Sequence, residues 1–299
     1  MSKYVLNSEF YLVIENGMCS SSHLPIGVDY QEGVLNFTNQ TPVEVQVVYV
    51  LEQSMNITIN VEKNRNVQLI ETKVLKNQAK LHKIMHLKEN AIVHVFSETA
   101  YDHQDLVECI DDVYLQKDAI CQCGYAELSE GSFEGSYHYY LNGEGASAKV
   151  RMAILSQKQE RKHYEVLIQH NQPHTYGQMD NYGVVKDEGH LVIDGIGTIT
   201  KGQHGSSSHQ TNKIMVFDPR CLASANPYLY IDEYDVKASH AAGVGKMDEE
   251  HLYYLQSRGL TKKQAMQLIT YGYLQPVSDV IDNQMLKERF EDALAKVGA

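Results

Sequence analysis

Ala238-Ser239-His240-Ala241-Ala242-Gly243-Val244-Gly245-Lys246-Met247-Asp248-Glu249-Glu250 is where this chain changes character. On its N-terminal side, Asn226-Pro227-Tyr228-Leu229-Tyr230-Ile231-Asp232-Glu233-Tyr234-Asp235-Val236 reads as a strand running into an acidic turn. On its C-terminal side, Asp248 is placed to cap a helix after the glycine-rich turn, with Glu249 and Glu250 in the first turn, where the helix dipole favours anions. Gly259 ends that helix as a C-cap glycine. Thr261 with Gln264 forms a capping box, and Ala265, Leu268, Ile269 and Gly272 then recur at helical spacing until Pro276 stops the helix. Ile281, Met285, Leu286, Phe290, Leu294 and Val297 continue the period in a terminal helix.

Upstream, the pattern is almost entirely β. Tyr11 to Asn16-Gly17 is an apolar strand closed by a turn dipeptide. Val43 to Val47, Ile57 to Val61 and Val67 to Ile70 alternate apolar and polar residues, as one-sided strands do. Similar runs cover Ala91 to Phe96, Tyr114 to Cys123, Ser136 to Leu141, Ala146 to Leu155, His163 to Ile168, His190 to Ile196, Lys213 to Phe217 and Tyr228 to Ile231. Many short strands divided by turn residues suggest a sandwich, a barrel or a β-helix. No repeat of fixed period is visible, so a β-helix would have to be irregular.

With 299 residues, 43% hydrophobic and 21% charged, the chain has the composition of a soluble globular protein able to bury a sizeable core. A formal charge of −12 argues against binding the phosphate backbone, and no nucleic-acid partner is expected. No apolar run is long enough to span a bilayer, and the first ten residues hold no secretory h-region, which predicts a cytoplasmic protein without a membrane partner. The 5 scattered cysteines then read as reduced thiols.

The opening stretch, together with Leu252-Tyr253-Tyr254-Leu255-Gln256-Ser257-Arg258-Gly259-Leu260, resembles the C-terminal signature of the SufB/SufD iron-sulfur assembly family, the SufD branch more closely. The match reaches back through Lys201-Gly202 and Gln210 and Gly183 to Glu188, as far as His163 to His170 with Pro173-His174-Thr175, and is loose before about residue 130. The resemblance selects among the three β architectures. It implies a mainly β protein, a right-handed parallel β-helix over residues 1–237 followed by a C-terminal helical subdomain over 238–299. Typical SufD chains carry a further N-terminal helical region, which this sequence lacks.

The resemblance also implies a scaffold subunit without catalytic turnover and with no tightly bound cofactor, meeting iron or an iron-sulfur cluster only transiently. Its expected partners are a SufC-type ABC ATPase and either a SufB-like subunit or a second copy of itself, paired through strands near Tyr228 to Val236. His240 stands where SufD members carry a histidine implicated in cluster building or iron delivery, and is the tentative metal ligand. Neutral imidazole is a good iron ligand, and small Ala241, Ala242 and Gly243 leave room around it; its bland role is to order a strand-to-helix junction. Cys221 falls where SufB members carry a sulfur-receiving cysteine, but SufB members place a glutamate after the histidine and this chain has Ala241. A lone cysteine is otherwise a small buried hydrophobe. The ATPase-docking surface would run from about Leu252 to Pro276, with Leu252, Tyr253, Leu255, Arg258, Leu268 and Tyr271 as contacts, unless those helices only seal the end of the β-helix.

Other chemistry is weaker. Cys121 and Cys123 would share a strand face, as a metal site or as buried thiols. His82 and His86 would share a helix face, whereas His170 and His174 flank Pro173. Gly243-Val244-Gly245-Lys246-Met247 lacks the P-loop pattern, and Gly195-Ile196-Gly197 leads into no helix, so neither predicts a nucleotide site. The rival readings are a β-helix enzyme acting on a carbohydrate, for which there are 20 tyrosines but no tryptophan or compelling carboxylate pair, and a diverged homologue without assembly function.

Overall fold

The computed structural model describes residues 8–100, 106–279 and 284–296. Met1 to Asn7, Ile281 and Val297 lie outside the described residues. In chain order the strands are β1 (Tyr11–Glu15), β2 (Met18–His23), β3 (Val28–Gln31), β4 (Val34–Phe37), β5 (Val43–Leu51), β6 (Met55–Val61), β7 (Asn66–Leu75), β8 (Lys80–Leu87), β9 (Ile92–Ala100), β10 (Val107–Leu115), β11 (Ile120–Glu127), β12 (Phe133–Leu141), β13 (Ser147–Ser156), β14 (Arg161–His170), β15 (Tyr176–Val185), β16 (His190–Ile199), β17 (Ser207–Val216), β18 (Leu222–Ile231) and β19 (Lys237–Lys246). From β5 onward they alternate between two sheets, a ten-stranded one holding the odd strands and a nine-stranded one holding the even, and each strand pairs in parallel with the one a full turn away. The result is a parallel β-solenoid of about 6 turns. Among the described residues only the N-terminal ends of the two sheets are antiparallel, where β2 pairs β1 and β3 pairs β4.

The alternation of side chains dictates this arrangement. In β16 every second residue from Leu191 to Ile199 is buried, and the residues between are not. The inward faces of both sheets form one continuous core, running from Leu12 and Phe37 through Tyr137 and Ile168 to Ile214. The turns stack as well: Asn64 and Asn90 both adopt left-handed φ values of 60° and 58°, and Asn90 Nδ2 donates to Asn64 Oδ1 at 3.0 Å. The repeat is not constant. Stacked residues are 24 positions apart at Asn36–Asn60, 26 at Asn64–Asn90, 29 at Asn142–Asn171 and 31 at Asn181–Asn212, which is why no fixed period shows in the sequence.

Four helices follow: α1 (Glu249–Ser257), α2 (Lys262–Leu274), α3 (Pro276–Asp279) and α4 (Gln284–Lys296). Both expected N-termini form, Asp248 accepting from the Glu250 amide and Thr261 with Gln264 making a reciprocal capping box. Pro276 opens α3 rather than only ending α2. The helices do not seal the solenoid's end. Leu274, Val277, Phe290, Ala293 and Leu294 instead pack against Phe96, Ala126, Ala153, Leu155 and Val184, on the outer face of the ten-stranded sheet. That is why β13 is buried on both faces from Val150 to Ser156. The fit is close at Gly124, where a Cβ would lie 2.2 Å from Phe290 Cε2.

Several expectations need correction. Residues 238–246, assigned to the helical subdomain and read as a turn, are most of β19, paired along its length with β17. The run from Tyr114 to Cys123 spans two strands, β10 and β11, separated by a turn. His82 and His86 lie on strand β8, not on a helix.

Candidate functional site at the open end of the solenoid

Among the described residues, the last strand of each sheet has a partner on one side only. All ten residues of β19 are exposed, as are Leu222, Tyr228, Tyr230, Ile231 and Tyr234 in and after β18. Two neighbouring unpaired edges with this much apolar surface form a template for further strand pairing.

His240 lies in the middle of that edge, not at a strand-to-helix junction. Its register partner on β17 is Gln210, whose own partner is Met179, followed by Val150 and Cys123, all buried in the interior. His240 therefore continues an inward-facing column and is exposed because no further turn among the described residues covers it. Its neighbours on that face are Ala238 and Ala242, while Ala241 belongs to the opposite face. The small residues around the imidazole are thus partly different from those adjacent in sequence.

Cys221 precedes β18 and is only half-buried. It packs against the core edge, its thiol 3.6 Å from the Asp187 carbonyl, and burial raises its pKa. It sits at the rim where β19 ends, since Met247 N–H bonds Val216 O and Leu222 N–H bonds Gly189 O at that same rim. His240 is near the other end of β19. About six residues of strand separate the two levels, roughly 20 Å at ~3.3 Å per residue, so a single chain does not bring Cys221 and His240 together.

The remaining candidates are occupied elsewhere. Cys121 and Cys123 are buried neighbours with sulfurs 3.5 Å apart. His82 Nε2 is 2.7 Å from Asp112, which in turn meets His138, and His138 meets Glu165 at 3.0 Å. His170 is buried against Thr175 and burial lowers its pKa to about 4, while His174 turns away to meet the His204 ring edge-on at 4.9 Å. Among the described residues no group of three or more His, Cys, Asp and Glu side chains is arranged to hold a metal ion.

Sequence reasoning missed a buried charged cluster in the solenoid. Lys83 Nζ lies 2.6 Å from Glu71 and 2.9 Å from Asp111, Tyr125 donates to Asp111 at 2.9 Å, and Lys73 sits over the rings of Tyr125 and Tyr137. Burial works against the Lys83 charge, but Asp111 and Glu71 outweigh it and raise its pKa. The available signal was parity, because these charged residues occupy inward positions of β7, β8 and β10.

On the helices, Tyr253, Tyr254 and Leu268 are 75%, 54% and 50% exposed, and Arg258 lies over the Tyr254 ring at 5.2 Å. Leu252 and Leu255 are half-buried, and Tyr271 packs on the solenoid flank. A groove of about 480 Å³ separates α1 and α2 from the rim at Asp187, Phe217 and Asp218. No helix among the described residues is long and apolar enough to cross a membrane.

Among the described residues the chain is a two-sheet parallel solenoid with unpaired edges at β18 and β19 and helices folded on its flank. The family described as "SUF system FeS cluster assembly, SufBD core domain" matches residues 48–273. The iron-sulfur cluster assembly protein SufD of Bacillus subtilis is 31% identical over 52% of this chain and 36% of its own length. SufD of Escherichia coli is 25% identical over 72% of this chain and 48% of its own, and SufB of Bacillus subtilis is 26% identical over 46% and 29%. The chain belongs to the SufBD family and is SufD-like; it spans from about a third to about half of the length of the SufD relatives it matches.

Proposed function

We propose that the chain is a SufD-like scaffold subunit in iron-sulfur cluster assembly, without turnover or a tightly held cofactor of its own. Its open end pairs with a SufB-like subunit or a second copy, α1 and α2 dock a SufC-type ABC ATPase, and His240 meets iron or a nascent cluster at the closed interface. The observation that carries this reading is the unpaired β18–β19 end, with His240 on the inward-facing column at its mouth, in a chain of this family. The docking face is Tyr253, Arg258 and Leu268 with the half-buried Leu252 and Leu255; Tyr271 supports it from beneath. An antiparallel pairing of β19 with the same strand of a second copy reverses the strand direction, and in the register that sets His240 opposite Lys246 it brings His240 of one copy level with Cys221 of the other.

The test is co-purification with the SufC-type ATPase of the same source, with ATP hydrolysis measured with and without the chain. A stable complex that loses affinity at least tenfold in Tyr253→Ala with Leu268→Ala is the expected result. No complex with the intact chain would remove the assembly reading and leave only the fold.

A further inference from the structure

Just inside the mouth, the core stops being apolar. Asn181, Gln210 and Asn212 are buried on the inner face of β15 and β17, and each keeps one polar atom without a partner among the described residues: Asn181 Oδ1, Gln210 Oε1 and Asn212 Nδ2. Their other amide atoms are engaged, Asn181 Nδ2 with Asn212 Oδ1 at 2.9 Å and Gln210 Nε2 with the Tyr228 carbonyl at 2.9 Å. The second bond fixes which end of the Gln210 amide is nitrogen, since only nitrogen can donate to a carbonyl, and so makes the orphan an acceptor. Space for these amides comes from the opposite sheet. A Cβ on Gly195 would lie 2.5 Å from Asn212 Nδ2, and one on Gly197 2.7 Å from Gln210 Nε2. The Gly195-Ile196-Gly197 motif is what lets polar side chains occupy this level.

A buried acceptor without a partner keeps its desolvation penalty uncompensated, so a position that holds one calls for a donor. The two register neighbours of Gln210 are Met179, whose thioether has no hydrogen to give, and His240, whose neutral ring always carries one N–H. Adjacent strands are ~4.8 Å apart, within reach of these two side chains, and the exposed imidazole is free to rotate.

We propose that Gln210 is the positioning residue for His240. Its Oε1 accepts one ring N–H, which fixes the tautomer and leaves the other ring nitrogen unprotonated and facing the mouth. This is how hydrogen bonds behind a histidine ligand set its orientation and basicity toward a metal. The orienting bond stands on the geometry alone; its value for iron rests on the reading of His240 above.

The experiment uses the full chain. Long-range ¹H–¹⁵N NMR of the imidazoles, with the His240 signals identified by their loss in His240→Ala, reads the tautomer, and Co²⁺ titration followed by visible absorption reads metal affinity. The expected result is one dominant tautomer in the unaltered chain, a mixture in Gln210→Met, and a His240-dependent Co²⁺ affinity 10–100-fold weaker in that variant. A tautomer mixture in the unaltered chain, or one unchanged by Gln210→Met, overturns the proposal. Should Gln210→Met not fold, Gln210→Glu keeps the acceptor, and a mixed tautomer there overturns it equally. If the tautomer is fixed by Gln210 but His240→Ala leaves Co²⁺ binding unchanged, the orienting bond stands and the iron-ligand reading fails.

Discussion

His163 shows how a single residue couples the outer face of the nine-stranded sheet to pH. Its ring bridges Asp194 at 2.8 Å and Glu134 at 3.1 Å, on the strands to either side. Burial opposes the imidazolium, but the hydrogen bonds to Asp194 and Glu134 outweigh it and the pKa is raised. A raised folded pKa stabilises the fold in full below the unfolded value of about 6.5, and the contribution fades as pH rises through the folded value. The side chain is 40% exposed, so screening limits the effect to ~0.5 kcal/mol. Denaturant midpoints of the unaltered chain and His163→Gln should therefore differ at pH 5.5 and converge by pH 8.5; an equal difference at both would exclude this account. Lys83 is the opposite case, its charge fully buried and held by Glu71 and Asp111, so that removing either carboxylate would leave an uncompensated buried charge.

At the scale of elements, Phe290 anchors α4 to the solenoid, with Ala293 and Leu294 buried beside it. Phe290 is fully buried, meets Phe96 edge-on at 5.4 Å and fills the space that Gly124 leaves open. Phe290→Ala should cost about 3–5 kcal/mol in chemical denaturation, with α4 becoming the first site of limited proteolysis. An unchanged midpoint would mean that α4 is not part of the cooperative unit. The element also explains a sequence feature: Ala153 and Leu155 are apolar on the face of β13 opposite the core because helices cover that sheet, while the corresponding face of β16 keeps His190, Asp194 and Thr198 partly in water.

For the molecule as a whole, the asymmetry between its flank and its mouth decides what it can assemble with. The helices cover one sheet and leave the end open, so growth by strand pairing remains available at β18 and β19. If two copies close over it with β19 antiparallel to β19, His240→Cys in a Cys19→Ser background should form an intermolecular disulfide with Cys221 under mild oxidation, seen as a dimer on non-reducing gels and mapped by mass spectrometry. A dimer in solution that yields only Cys221–Cys221 links, or none, would rule out that register. Removal of Cys19 is needed because it is the exposed thiol at the other end of the solenoid.

The sequence alone determined the β-rich body, the capped helices at Asp248 and Thr261, and, through a resemblance centred on Ala238 to Glu250, the β-solenoid. Those signals are local: alternation, caps and motif order are written in adjacent residues. It did not disclose β19, because Ala-Ser-His-Ala-Ala-Gly-Val-Gly carries little strand propensity and becomes a strand only when the β17 backbone, 30 residues earlier at His209–Ser239, templates it. The same non-local pairing decided that His240 faces the interior above Gln210, that Cys221 lies at the far rim, and that Gly195 and Gly197 make room for amides. Side-chain direction in a strand is set by register, and register is fixed only when the turns stack.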